Sequence, residues 1–117
     1  IRQYLDNLPK DKARNLRNRD QSFIFYAIED TGPFGSEKIS LTPNISCATD
    51  HNVIPVGINF IYNFKKNTSW CVAQDSGGAI TGAHVDIYKG EGEQAGIEAR
   101  KINDAGSLFV VLPKKYT

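Results

Sequence analysis

Methionine is absent from these 117 residues, tryptophan occurs once, and cysteine and histidine occur twice each. A chain that opens on Ile1 and holds no Met reads as a fragment or a processed form of a longer product. Two thiols and two imidazoles without ligand spacing fall short of a zinc set, so neither a metal nor another cofactor is expected. Cys47 and Cys71 read instead as small buried hydrophobes at strand positions, with their pairing left open. Also missing are an apolar run near the roughly twenty residues that a membrane span needs, a charged leader and a lipid-attachment cysteine. No segment is therefore expected to cross a membrane. Excess charge of one sign is lacking too, since 14 Lys and Arg stand against 13 Asp and Glu for a net +1, which argues against a nucleic-acid partner. There is no Gly-Lys-Ser/Thr ending and no Gly-x-Ser-x-Gly elbow. Gly77-Gly78 and Gly82 thus read as turn geometry, and Ser76 does not read as a hydrolytic nucleophile.

At this length the chain is one domain with one hydrophobic core. Ile1, Tyr4, Leu5 and Leu8 fall on one face of a short helix that Pro9 interrupts, and Lys10 to Arg19 reads as a second helix with a solvated, charged face. Ser22 to Ile28 is a β-prone run closed by Thr31-Gly32-Pro33 and Gly35. Its Phe23, Phe25 and Tyr26 read first as core, with a sugar-stacking platform as the alternative. Further strands are expected at Ile45 to Thr49, Ile58 to Phe64, Trp70 to Asp75, Val85 to Tyr88 and Ser107 to Leu112. Lys65 to Ser69 is read as a polar turn inside a hairpin. Gly92 to Asn103 carries Ala95, Ala99 and Ile102 on one face of a helix, and Gly106 stands as its stop. Short strands with one inserted helix do not alternate as parallel α/β units do. The fold class is therefore mainly β, a small closed barrel, with a helical segment at 1–20 packed on a barrel domain at 21–117.

The stretch WCVAQDSGGAITGAHVDIY, Trp70 to Tyr88, carries the chemistry. Each of its two apolar segments contains one carboxylate, Asp75 or Asp86, and carboxylates on such segments are rare without a role. The Gly-rich reversal between them is expected to bring Asp86 back towards Asp75, and two carboxylates held together cannot both ionise freely, which is one way a fold makes a general acid. His84, two residues from Asp86, shares its face on an extended strand and reads as a hydrogen-bond partner. Asp50 at a strand end reads from the residues alone as the cap of its own turn.

Those residues also resemble a known family. DSGGAITGAHVDIY is similar to the three-aspartate (3D) signature at the C-terminal end of the membrane-bound lytic murein transglycosylase A family. The likeness continues upstream through LTPNISCATDHNVIPVG and NLPKDKARNLRNRDQSFIFYAIEDTGPFG, and downstream through GEGEQAGIEA and GSLFVVLP. It implies a double-psi β-barrel and cleavage of peptidoglycan glycan strands to 1,6-anhydro-muramoyl ends. Asp86 would then be the single acid and later base, Asp75 an ionised stabiliser of the oxocarbenium-like centre, and Asp50 the first of the three aspartates. Gly77, Gly78, Ala79, His84 and Tyr88 are the substrate-binding residues it suggests. It further implies a periplasmic site, an outer-membrane anchor on the full-length protein, and an N-terminal lobe that completes the cleft. A polysaccharide-binding module and the scaffold lobe of a two-lobed enzyme are the alternatives.

Overall fold

The structure, a computed structural model, describes residues 2–22 and 25–116. The chain divides into two compact units, 1–30 and 31–117. In the first, helix α1 spans Arg2–Asp6 and α2 spans Lys10–Arg17. Pro9 precedes α2 with φ −52°, where its missing N–H costs no helix bond. Asp11 in the first turn and Arg14 and Arg17 in the last match the helix dipole, and Ala13 is the buried side chain. The β-prone run after α2 does not become a strand among its described residues, and Phe25 and Tyr26 are each 90% exposed. This overturns the core reading for these two rings. A strand needs a partner to satisfy its backbone, and propensity alone does not supply one. Ile1 and Phe23, also assigned to apolar faces from the sequence, lie outside the described residues.

The second unit is built on five strands: β1 Ser46–Thr49, β2 Asn59–Phe64, β3 Asn67–Asp75, β4 Val85–Ile87 and β5 Ser107–Val110. Helix α3, Gly92–Arg100, lies between the last two. The strand order is β4-β1-β3-β2-β5. β2 and β3 form the expected hairpin, with Phe64 opposite Asn67, so the turn shrinks from Lys65–Ser69 to Lys65-Lys66 and β3 starts three residues earlier than expected. Lys65 takes φ 54°, the left-handed conformation that two-residue hairpin turns require. β1 runs parallel to β3 on one side and antiparallel to β4 on the other. β4 therefore does not return beside β3 as the glycine-rich reversal suggested, because β1 lies between them. Among the described strands no pairing joins β4 to β5, so the sheet is open and the expected closed barrel is not formed by them.

Alternation sends one set of side chains to a single core, where Phe60, Cys71, Ala73, Cys47 and Ile54 form a buried cluster with Val85, Ile87 and Leu108 packed against it. Both cysteines are free thiols and buried, as their reading as small hydrophobes expected. Cys47 Sγ donates to the Val72 carbonyl at 3.2 Å. A hydrogen bond shared with Cys71, together with burial, raises the Cys47 thiol above its ordinary value. Gly106 is not the expected helix stop, because α3 ends at Arg100 with Lys101 as its C-cap; it is needed for contact, since a Cβ there would lie 2.6 Å from the Asn63 carbonyl oxygen. This holds the start of β5 tightly against β2. Phe60 is fully buried, whereas Phe109 on β5 is 53% exposed. Phe60→Ala is expected to cost about 3–5 kcal/mol of stability in denaturant unfolding, and Phe109→Ala less than about 1 kcal/mol.

Candidate active site

The strand order gathers the three aspartates at one end of the sheet. Asp75 closes β3, Asp86 is the middle residue of β4, and Asp50 follows the last residue of β1. Across β1 the register reads Asp86 opposite Ala48 and Ala48 opposite Asp75. The two carboxylate-bearing residues thus flank one alanine on the same face of the sheet, the face turned away from the Phe60 core. With strands about 4.8 Å apart, their backbones stand about 10 Å from each other. Adjacent as expected they are not, but both line one cleft of about 300 Å³. α3 forms its wall through Ala95, Gly96 and Ala99, and Tyr88, Lys89 and Gly90 form its rim. The small side chains of α3 leave the room between helix and sheet.

Asp75 is held at two atoms. Its Oδ1 accepts the Ser76 N–H at 2.8 Å, and its carbonyl accepts from His51 Nε2 at 2.9 Å, which gives His51 an orienting function that sequence reasoning missed. Asp86 lies among half-buried Val85 and Ile87 yet is itself exposed, as the outward residue of a strand should be. His84 precedes β4 and shares an adjoining hollow of about 280 Å³ with Asp86, though no hydrogen bond joins the two. Tyr88 is on the cleft rim, its backbone tied to Ser46 and Asn44 by bonds of 2.9 and 2.7 Å. Partial burial and the nearby Glu91 carboxylate hold the Tyr88 hydroxyl above its ordinary value, so it stays a neutral donor at working pH.

Asp50 does different work. Its Oδ2 accepts the Gly82 N–H at 2.8 Å, and its Oδ1 accepts the Asn52 N–H at 3.0 Å and Asn52 Nδ2 at 3.2 Å. It caps its own turn, as the residue-level reading expected, and also pins the long connection from β3 to β4. The Gly82 bond foremost, then the Asn52 backbone bond, hold its carboxyl below the ordinary value, with burial opposing and the Asn52 side chain and His51 charge assisting. Asp50 does not line the Asp75–Asp86 cleft. Nor do Gly77, Gly78 and Ala79, which form the turn closed by the Ile80 N–H to Gly77 carbonyl bond of 2.9 Å.

Lys89 and the α3 wall were not singled out from the sequence. The signal was present in the Ala-Gly spacing of the helix, but small residues on a helix face have many uses. Lys89 Nζ donates to Asn44 Oδ1, which holds a cation beside the cleft that contains both carboxylates. No group of His, Cys, Asp or Glu among the described residues has the arrangement to hold a metal ion. No helix among them is long and apolar enough to cross a membrane.

The family model of the 3D domain matches residues 45–112, which run from just before β1 to just after β5 and include all three aspartates. The chain is 30% identical over 123 aligned residues to the membrane-bound lytic murein transglycosylase A of Escherichia coli (strain K12), covering 95% of this chain and 34% of that protein. It is 32% identical over 116 residues to the protein of the same name from Vibrio cholerae, covering 87% of this chain and 32% of the other. Among solved structures it is similar to E. coli MltA with bound chitohexaose, at TM-score 0.75 and 29% identity over 93% of this chain and 37% of that one. The chain spans about a third of the length of the curated relatives it matches.

Because the folded-state pKa of Asp50 is depressed, its contribution is complete above the ordinary value of 3.8 and is lost as pH falls through the lower folded value. The Gly82 amide proton shift, followed by NMR, is expected to titrate with a midpoint below 3.8. A midpoint at or above 3.8 would mean that Asp50 does not anchor the loop.

Proposed function

The chain belongs to the 3D domain family, and on that premise we propose that it is the acid-bearing part of a lytic transglycosylase that cleaves the MurNAc–GlcNAc β-1,4 bond of peptidoglycan. The observation that carries this reading is the pair Asp75 and Asp86 on one face of the sheet, lining one cleft with a helix wall. Its relatives are named as murein transglycosylases, and a similar structure holds a chito-oligosaccharide, which supports a glycan as the ligand.

In this mechanism Asp86 enters protonated and gives its proton to the leaving glycosidic oxygen as the C1–O bond breaks. The resulting carboxylate takes the proton of the muramoyl 6-hydroxyl, whose oxygen closes on C1 to form the 1,6-anhydro ring. One proton is given and one recovered, and no water is consumed. Asp75, oriented by Ser76 and His51, stays ionised and steadies positive charge at the anomeric carbon. The neutral Tyr88 hydroxyl and the Lys89 ammonium are suited to hydrogen-bond sugar oxygens at the rim. Gly77, Gly78 and Ala79 serve the substrate only through the loop they shape, and His84 bears on the neighbouring hollow.

A cleft of about 300 Å³ is at the small end for a ligand site, and a glycan strand needs a longer trough. The second wall is therefore assigned to the remainder of a longer protein like the relatives, of whose length this chain spans about a third. The same remainder would complete the double-psi barrel. Two features support that closure: β3 and β4 run antiparallel with β1 between them, and residues of β4 share a hollow with Tyr62, Phe64 and Leu108 at the far side of the sheet. The membrane-bound relatives support a cell-envelope location, and the proposal places this region in the periplasm with an outer-membrane anchor elsewhere in the protein.

Asp86→Asn deletes the transferable proton at nearly constant shape, so turnover on purified peptidoglycan is expected to fall about a hundredfold or more with the circular dichroism spectrum unchanged. Product mass spectrometry should find anhydro ends. Reducing ends would indicate a hydrolase, and binding without any release would indicate a non-catalytic glycan module. A longer protein that carries this region should outpace the isolated chain on the same strands. Equal turnover would remove the two-wall proposal.

A further inference from the structure

The feature that decides where Asp75 points is a one-residue irregularity in the pairing of β1 with β3. Cys47 faces Ala73, but the next residue, Ala48, faces Asp75, so Gln74 is the extra residue of a β-bulge. Without it Ala48 would face Gln74 and Asp75 would face Thr49. Thr49 is fully buried and lies opposite Val85, on the core side. A slip of one residue exchanges the two faces of a strand. The bulge thus brings Asp75 onto the face of Asp86, whereas a regular ladder would turn it inward.

Two features outside the cleft hold that bulge. Ser46 is fully buried, and its Oγ donates to Gln74 Oε1 at 2.5 Å while accepting the Thr42 N–H at 2.7 Å. Gly35 packs directly on the backbone of the bulged residue, where a Cβ would lie 2.0 Å from the Gln74 carbonyl oxygen. Gly35 is held there by a small hairpin in which its N–H donates to the Ile39 carbonyl at 2.8 Å and the Leu41 N–H donates to the Pro33 carbonyl at 3.0 Å. Leu41, the end of this hairpin, reaches the cleft itself. The Thr31 to Leu41 segment, which the sequence marks only as a Gly- and Pro-broken loop, thereby abuts the residue before the aspartate.

We infer that Gly35 and Ser46 are positioning residues that act through the Gln74 bulge to present Asp75 beside Asp86. The inference rests on the reading of Asp75 as a stabiliser of the reaction, so its test has one arm that needs no activity. In this chain, NMR contacts between the Ala48 and Asp75 backbones report the bulged register, and the Asp75 carboxyl carbon shift reports its surroundings. Gly35→Ala and Ser46→Ala are each expected to weaken those contacts and move that carbon shift while the β2–β3 contacts persist. If Gly35→Ala does not fold, Ser46→Ala, which keeps the backbone unobstructed, decides alone. In a longer protein that carries the region, each variant should lower kcat about tenfold or more with KM within about twofold. In an Asp75→Asn background neither should lower it further. Unchanged Ala48–Asp75 contacts, or an equal loss of kcat with and without the Asp75 carboxylate, would overturn the inference. A wild-type protein that releases no glycan would instead refute the proposed function and leave the NMR arm to decide the positioning role.

Discussion

The acidic end of the molecule depends on β1 being hydrogen-bonded along both edges, to β3 on one side and β4 on the other. Four residues, Ser46–Thr49, therefore set the relative height of Asp50, Asp75 and Asp86. Their side chains divide the labour. Cys47 and Thr49 face the core, Ser46 reaches the bulge, and Ala48 is the small floor between Asp75 and Asp86. A larger side chain at position 48 would fill the part of the cleft that lies between the two carboxylates. A strand paired on both edges also resists sliding, because a shift would break two ladders and turn Cys47 away from the core.

Local features were legible in the sequence and long-range ones were not. The β2–β3 hairpin, α3 and the two N-terminal helices follow from alternation, periodicity and the position of Pro9, and each formed within a few residues of its expected bounds. The suspicion attached to Asp75 and Asp86 came from carboxylates on apolar strands, and both do line one cleft. Their arrangement was misjudged because a glycine-rich connection says that a chain can turn, without saying which strand it will turn beside. The insertion of β1 between β3 and β4 is a pairing over some forty positions, and nothing in a window of residues encodes it. The Gln74 bulge was equally hidden, since Gly35, which it packs on, is distant in sequence. Ser22 to Ile28 shows the opposite failure, strong propensity that does not become a strand among its described residues.

Family membership and geometry constrain different things. The 3D match covers all five strands and fixes the kind of protein to which the chain belongs. It does not say which aspartate does what. The hydrogen bonds separate them: both Asp50 oxygens accept from backbone N–H groups, whereas Asp75 and Asp86 border open space. An ionised carboxylate committed to two backbone donors is poorly suited to carry a proton to a leaving group, so three aspartates in one signature need not be three versions of one role.

The strand order also has a kinetic side. The β2–β3 ladder closes across a two-residue turn, whereas pairing Cys47 with Ile87 must close a loop of forty residues, with a correspondingly larger entropic cost. The hairpin can form early and serve as the template on which β1 docks, and β4 can join only after β1 is in place. The face bearing Asp75 and Asp86 thus depends on the longest of these closures, and its strand β4, three residues long, pairs among the described strands with β1 alone. Thermal opening should begin at that edge, and the strand of Asp86 would exchange its amide protons with solvent sooner than the hairpin that supports it.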